Sequence, residues 1–188
     1  MHEIAVIYTS RYGTAKAYAE YIASELKADL HACKDLPAAK LSGYSTIIYG
    51  GGLYAGGISG IDYIKRNWSR VKEKRLIVFS VGFTPATRTD VLKKVIDSCF
   101  TESQQRVMSF YHFPGQVDYG KLTLLHQFAL AARKQLLRGK KADKLTKESL
   151  AFLKGYGKPP QPLPFEAARS LIGSLTQTGA YSVAESLE

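Results

Sequence analysis

The stretch Glu3 to Tyr21, EIAVIYTSRYGTAKAYAEY, runs from an apolar strand through a short polar turn directly into a helix. Ile4, Val6 and Ile7 lie in a β-branched run short enough for a buried strand. Ala15, Tyr18, Ala19 and Ile22 then recur at helical spacing. A strand, a tight polar turn and a helix in immediate succession are the parts of a phosphate cradle, and the rest of the chain has to be arranged around them.

The turn is Thr9-Ser10-Arg11-Tyr12-Gly13-Thr14. Free backbone N–H groups at the helix start, several hydroxyls and one guanidinium converge there, and each favours a bound anion. Gly13 lets the backbone close tightly around the anion's oxygens. An ordinary capping turn, in which Ser and Thr only satisfy the helix end, uses the same residue types. The turn has neither the Gly-Lys-Ser/Thr ending of a nucleotide-hydrolysing P-loop nor the GxGxxG of a dinucleotide fold. A lone phosphate monoester fits it better.

With 188 residues and 45% hydrophobic content, the chain has enough apolar material for one sizeable core, so a single domain over 1–188 with an insertion is expected. No run of about 18 apolar residues occurs. The first strand begins at once, without a basic segment or cleavage-site pattern before it, so a cytoplasmic protein is expected. Cys33 and Cys99 stand alone, with no CxxC or histidine cluster. They read as inert, mostly buried thiols, and no metal site is signalled. The net charge of +10 is concentrated between 113 and 163, where ten Lys and Arg face three carboxylates.

Along the chain, Asp29 to Cys33 reads as a short second strand and Ser45 to Tyr49 as a third. The third ends in Gly50-Gly51-Gly52-Leu53-Tyr54-Ala55-Gly56-Gly57, read as a loop before a helix carrying Ile61, Ile64 and Trp68. Arg75 to Val81 is a nearly continuous apolar fourth strand, closed by Gly82-Phe83-Thr84-Pro85. A helix over Thr87 to Cys99 and a fifth strand over Arg106 to Phe113 follow. Strands alternating with helices imply an α/β fold with a doubly wound parallel sheet, whose ligands bind beyond the carboxyl ends of the strands. Three loops occupy that edge: Thr9 to Thr14, Gly50 to Gly57 and Gly82 to Ala86.

The YTSRYGT turn, the IIYGGGLYAGG loop and the short glycine-containing loop after the fourth strand resemble a flavodoxin-fold protein. FPGQVDYGKLTLLHQF and TKESLAFLKGYGK resemble the flavodoxin-domain subgroup that includes menaquinone-dependent protoporphyrinogen IX dehydrogenase. The resemblance implies a flavodoxin-like five-stranded sheet of order 2-1-3-4-5 with a helical insertion between the fifth strand and the last helix. It also implies FMN as cofactor. Ser10, Tyr12, Gly13 and Thr14 would then surround the phosphate, with Thr9 in the same turn and Arg11 supplementing it. Gly51, Gly52, Leu53 and Tyr54 from the second loop, and Gly82 and Phe83 from the third, would bracket the isoalloxazine. Tyr54 is the first candidate to stack on the ring and Phe83 the second. The turn departs from the usual flavodoxin pattern at Tyr12 and Ala15. The hydroxyl missing at Ala15 lowers the expected FMN affinity by roughly one to two decades unless Arg11 or Lys16 offsets it.

No acid–base or nucleophilic set emerges, and catalytic residues are not assigned. His112 alone of the four histidines falls at the carboxyl end of a strand, where it reads as a satisfied core or surface residue. A flavin needs no such set, because the cofactor itself accepts the hydride or electrons.

About fifty residues lie between Pro114 and Pro164, a length that usually serves a function. Tyr119 to Arg138 reads as an amphipathic helix with Leu122, Leu125, Ala129, Ala132 and Leu136 along one stripe and Phe128 beside it. A helix is expected over Thr146 to Lys154, an extended proline run over Lys158 to Pro164, a closing helix over Phe165 to Gln177 and a loose tail from Thr178. The basic amphipathic helix can contact an anionic membrane peripherally, cover the cofactor, form a homodimer, or simply pack on the domain. These features together read as an FMN-dependent oxidoreductase with a hydrophobic small-molecule or quinone partner, and the resemblance points to protoporphyrinogen as substrate. The alternatives are a flavodoxin-like electron-transfer protein and a flavin-free binding or regulatory module. Nucleic acid is disfavoured, since the basic stretch lacks interleaved aromatics and any recognised motif.

Overall fold

The computed structural model describes residues 3–54, 56–116, 124–139, 149, 153, 156 and 162–176. Strand β1 (Ile4–Thr9) feeds helix α1 (Thr14–Leu26) as the change of hydrophobic period predicts. β2 (Asp29–Ala32) is followed by 3-10 turns at Cys33–Asp35 and Ala38–Gly43. Next come β3 (Thr46–Tyr54), β4 (Gly57–Ile58), α2 (Asp62–Arg66) and α3 (Trp68–Val71). β5 (Arg75–Gly82), α4 (Thr89–Cys99), α5 (Glu102–Gln105) and β6 (Met108–Pro114) complete the alternation. α6 (Leu124–Arg138), a 3-10 turn at Phe165–Ala168 and α7 (Arg169–Thr176) follow.

The sheet has the order β2-β1-β3-β5-β6, with these five strands parallel and β4 paired antiparallel to the end of β3. With β4 set aside, this is the expected 2-1-3-4-5 order. Alternate side chains of each strand enter opposite cores. Ala5, Ile7, Ile47, Tyr49, Leu76 and Val78 pack beneath Ile64, Val71 and Val95 on one face. Val6, Ile48, Ile77, Phe79 and Phe113 pack against Tyr18, Ile22 and Leu171 on the other. Each large aliphatic side chain buried in this way contributes about 1.5–3 kcal/mol, so both faces resist separation from their helices.

The structure corrects several elements. β3 runs through Tyr54, so residues 50–54 are strand and not the expected loop. Gly50, Gly51 and Gly52 lie opposite Phe79, Ser80 and Val81 in the ladder with β5. Their lack of side chains answers to space: a Cβ on Gly50 would lie 1.9 Å from the Phe79 ring. The single helix expected around Ile61 to Trp68 is two short ones, broken where Asn67 Nδ2 donates to the Tyr63 carbonyl at 2.8 Å. α5 was not expected from the sequence, yet it carries a reciprocal capping box between Thr101 and Gln104.

α6 is described from Leu124, and its inward face is rotated from the expected stripe. Leu137 is buried, while Phe128, Ala132 and Leu136 are exposed. Leu130, Lys134 and Leu137 form the inward line, and the Lys134 ammonium lies 4.0 Å from the centroid of the Tyr156 ring. One residue of helix is about 100°, so burial at Leu137 in place of Leu136 turns Ala132 and Leu136 away from the core. Except for Ser149 and Leu153, the helix expected over 146–154 lies outside the described residues. So do Lys158 to Gln161 of the proline run and the tail from Thr178.

Candidate functional site

β1, β3 and β5 lie side by side in parallel, so their carboxyl ends bring the three loops to one edge. At the first loop, Gly13 adopts φ +93° at the N-cap of α1, a left-handed conformation that only glycine adopts cheaply. α1 has no side-chain cap and no acidic residue in its first turn. Its leading N–H groups therefore have no intrahelical partner and present the positive end of the helix dipole. Among the described residues, a Cβ added at Gly13 would meet nothing within 4 Å.

The hydroxyls of this turn have other commitments. Ser10 Oγ accepts from the Gly13 N–H at 3.1 Å. Thr14 Oγ1 donates to the Gln116 carbonyl at 3.1 Å. Tyr49 OH spends its one hydrogen on the Ser59 carbonyl at 2.7 Å, so in its 2.9 Å contact with Thr9 it accepts and Thr9 Oγ1 donates. Burial drives the Tyr49 phenol far above its ordinary pKa, although the Thr9 bond opposes the shift. Gly60, at φ +72°, closes over this pair; a Cβ there would sit 2.3 Å from Thr9 Oγ1 and 2.4 Å from Tyr49 OH. Thr9 thus braces the floor of the site. The α1 amides point toward the space an anion would occupy, and Arg11 lies close by, against the Tyr54 ring. They fit a phosphate monoester.

The second loop reaches the edge through Leu53 and Tyr54, because Gly51 and Gly52 remain in the sheet and the Gly52 carbonyl accepts from Ser59 N–H at 2.9 Å. Tyr54 is 40% exposed. Its ring lies edge-on to Tyr12, with centroids 6.3 Å apart and planes at 71°, and Arg11 Cζ is 5.8 Å from the Tyr54 centroid. Partial burial raises the Tyr54 phenol pKa; Tyr12 adds to the shift and Arg11 opposes it. On the third loop Phe83 is 53% exposed. Gly82 sits against Leu53, whose Cβ would lie 3.0 Å from an added Gly82 Cβ.

A fourth segment, the exit from β6, was not anticipated. Gly115 N–H donates to the Gly82 carbonyl at 2.7 Å, and Gln116 receives the Thr14 hydroxyl. Arg11 and Tyr12 meet Tyr54, Leu53 meets Gly82, Gly82 meets Gly115, and Gln116 returns to Thr14. The four segments therefore close a circuit of contacts. Pro114-Gly115 is a visible turn signal, but nothing local links Gln116 to a residue 102 positions earlier.

Two further side chains brace this arrangement. His112 Nδ1 lies 2.7 Å from Ser80 Oγ, and its Nε2 lies 2.7 Å from the Thr84 carbonyl. Tyr18, fully buried one helical turn beyond Thr14, donates its hydroxyl to the carbonyls of Pro114 at 3.2 Å and Pro164 at 3.4 Å. Those two prolines are the ends of the inserted segment. The Tyr18 ring stacks on Phe113 with centroids 5.0 Å apart and meets Phe165 edge-on at 5.4 Å.

A family model described as a flavodoxin domain matches residues 5–144. No curated protein matches the sequence. Among solved structures, the flavodoxin, WrbA-like protein from Agrobacterium tumefaciens is 20% identical, covering 63% of this chain and 86% of its own, with a TM-score of 0.46. The Trp repressor binding protein from Bacillus subtilis is 18% identical, with 69% and 96% covered and a TM-score of 0.46. The two-electron reduced flavodoxin of Megasphaera elsdenii is 15% identical, with 60% and 83% covered and a TM-score of 0.43.

Proposed function

We propose that this chain, which belongs to the flavodoxin-domain family, is an FMN-dependent oxidoreductase acting between a hydrophobic small molecule and a quinone. The observation that carries the reading is the circuit of four segments. It sets the uncapped start of α1 at the same sheet edge as Leu53 and the exposed rings of Tyr54 and Phe83. FMN, when bound there, supplies reversible acceptance of a hydride or of single electrons. The α1 amides hold the phosphate, Arg11 adds charge, and Tyr54 and Phe83 offer flat apolar faces to the ring. Protoporphyrinogen IX is the donor suggested by the subgroup that the inserted segment resembles.

The acceptor's chemistry is supported by α6. None of its residues is acidic, Arg138 at its end is exposed, and Phe128 and Leu136 are each 72% exposed. Such a face suits peripheral contact with the anionic cytoplasmic side of a membrane, where a lipid-soluble quinone resides. A second copy of the chain is the other surface it could meet. No helix among the described residues is long and apolar enough to cross a membrane.

A flavodoxin-like electron carrier is the second reading. It is favoured by His112, the histidine at the site, which already has both ring nitrogens engaged and offers a substrate no acid or base. Anaerobic mixing of the FMN-loaded protein with protoporphyrinogen and a soluble quinone separates the two. Repeated turnover without another protein supports the enzyme; no consumption of protoporphyrinogen, with a single round of reoxidation by the quinone once the flavin has been reduced with dithionite, supports the carrier.

A further inference from the structure

We propose that His112 is a positioning residue for the third loop, holding the Gly82–Thr84 peptides so that the Phe83 amide faces the second loop, where a flavin edge would lie. This inference rests on the FMN reading above. His112 stands opposite Ser80 in the β5–β6 register, at the last turn of the sheet before the ligand edge. A carbonyl can only accept, so the 2.7 Å contact with Thr84 puts the proton on Nε2. Nδ1 then carries the lone pair and accepts from Ser80 Oγ at 2.7 Å, and Ser80 is fully buried. One directional chain runs from the sheet interior, through the imidazole, to a loop carbonyl. Burial lowers the His112 pKa, in keeping with the neutral ring this chain requires.

A second tether acts on the same loop from the same side. Gly115 N–H, just past β6, takes the Gly82 carbonyl at 2.7 Å. In a trans peptide the C=O and the following N–H point in opposite directions. With the Gly82 carbonyl turned toward Gly115, the Phe83 N–H points away from the β6 exit, toward the side on which β3 brings Leu53 against Gly82. Residue 85 is proline and has no N–H to offer. The β6 side therefore takes two loop carbonyls and leaves the Phe83 amide as the donor facing the second loop, where the polar edge of a ring supplies acceptors. A histidine that only filled the core would have no need to reach a carbonyl beyond the strand ladder.

His112→Leu and His112→Gln test this, since glutamine's Nε2 can still donate to Thr84. The measurements are equilibrium dialysis with FMN and with riboflavin, the visible circular dichroism of bound flavin, and amide exchange of Arg88 and Gly115 without flavin. His112→Leu is expected to weaken FMN and riboflavin alike by about tenfold, the worth of one well-placed hydrogen bond. It should also alter the flavin dichroism and speed exchange at Gly115 and Arg88, whose N–H groups donate to the Gly82 and Pro85 carbonyls, while His112→Gln stays within about threefold of the parent. Unchanged exchange and unchanged binding in a folded His112→Leu protein overturn the inference, as does a loss of FMN binding that spares riboflavin. A parent protein that retains neither flavin defeats the FMN reading instead, and the flavin-free exchange experiment still decides the role of His112 in the loop.

Discussion

Replacing Tyr18 with phenylalanine removes one oxygen and leaves both ring contacts in place. The lost hydroxyl donates to the Pro114 and Pro164 carbonyls at 3.2 and 3.4 Å, distances at the long end for an O–H donor. One proton shared over two long contacts is worth about 1 kcal/mol net, and both prolines are exposed, so water can take up the carbonyls that lose it. Tyr18→Phe should therefore destabilise the protein by about 1 kcal/mol in urea unfolding, and lower Tm by roughly 2–4 °C for a chain of this size. A second signature comes from alkaline pH. Burial, with Glu166 nearby, raises the Tyr18 pKa to about 12. The folded state then holds its proton where the unfolded chain, titrating near 10, has released it. This contribution is complete below pH 10 and is lost as pH rises toward 12, so the parent's stability should fall through that window more steeply than the variant's. A variant as stable as the parent, with the same alkaline slope, would refute the view that this hydroxyl clasps the two ends of the insertion.

Gly60→Ala should cost about 3 kcal/mol or more. It combines a left-handed φ, worth about 1–2 kcal/mol, with a collision that breaks the Thr9–Tyr49 bond, and chemical denaturation checks the sum. The lowered pKa of His112 makes the neutral ring the folded form. Its contribution should be complete above the unfolded value of about 6.5 and be lost as pH falls from there to the folded pKa, an acid slope that His112→Gln should lack in stability measured against pH. Replacing Phe128 and Leu136 together with serine should leave Tm within about 2 °C, because both are exposed, yet abolish flotation with anionic lipid vesicles. Flotation equal to the parent's would remove the membrane contact from the account.

The readable parts of the fold were those whose pattern is local. β1, α1, β5 and α4 follow from hydrophobic period alone, because each buries a regular set of side chains against one neighbour. The continuation of β3 through Gly50 to Tyr54 was hidden: glycine is a poor strand former, and the Phe79 ring that demands it lies 29 residues on in sequence. α6 shows a different limit. Its apolar residues cover enough of the circumference that composition does not choose which line turns inward, and the Lys134–Tyr156 contact lies beyond any local pattern. At the candidate site, the turn before α1, Tyr54 and Phe83 could be singled out because glycine, hydroxyl and aromatic residues cluster there. The roles of Thr9 and Thr14 were not, since their hydroxyls are claimed by Tyr49 and Gln116 from distant strands. Gly51 and Gly52 likewise owe their place to the sheet.

The most direct test of the central claim is equilibrium dialysis of the purified chain against FMN and against riboflavin, followed by absorption spectra. A turn whose helix amides and Arg11 hold a phosphate predicts retained flavin bands and FMN binding at least about tenfold tighter than riboflavin, the equivalent of one charge-assisted hydrogen bond. No retention at high micromolar FMN, or equal affinity for the two flavins, would contradict it.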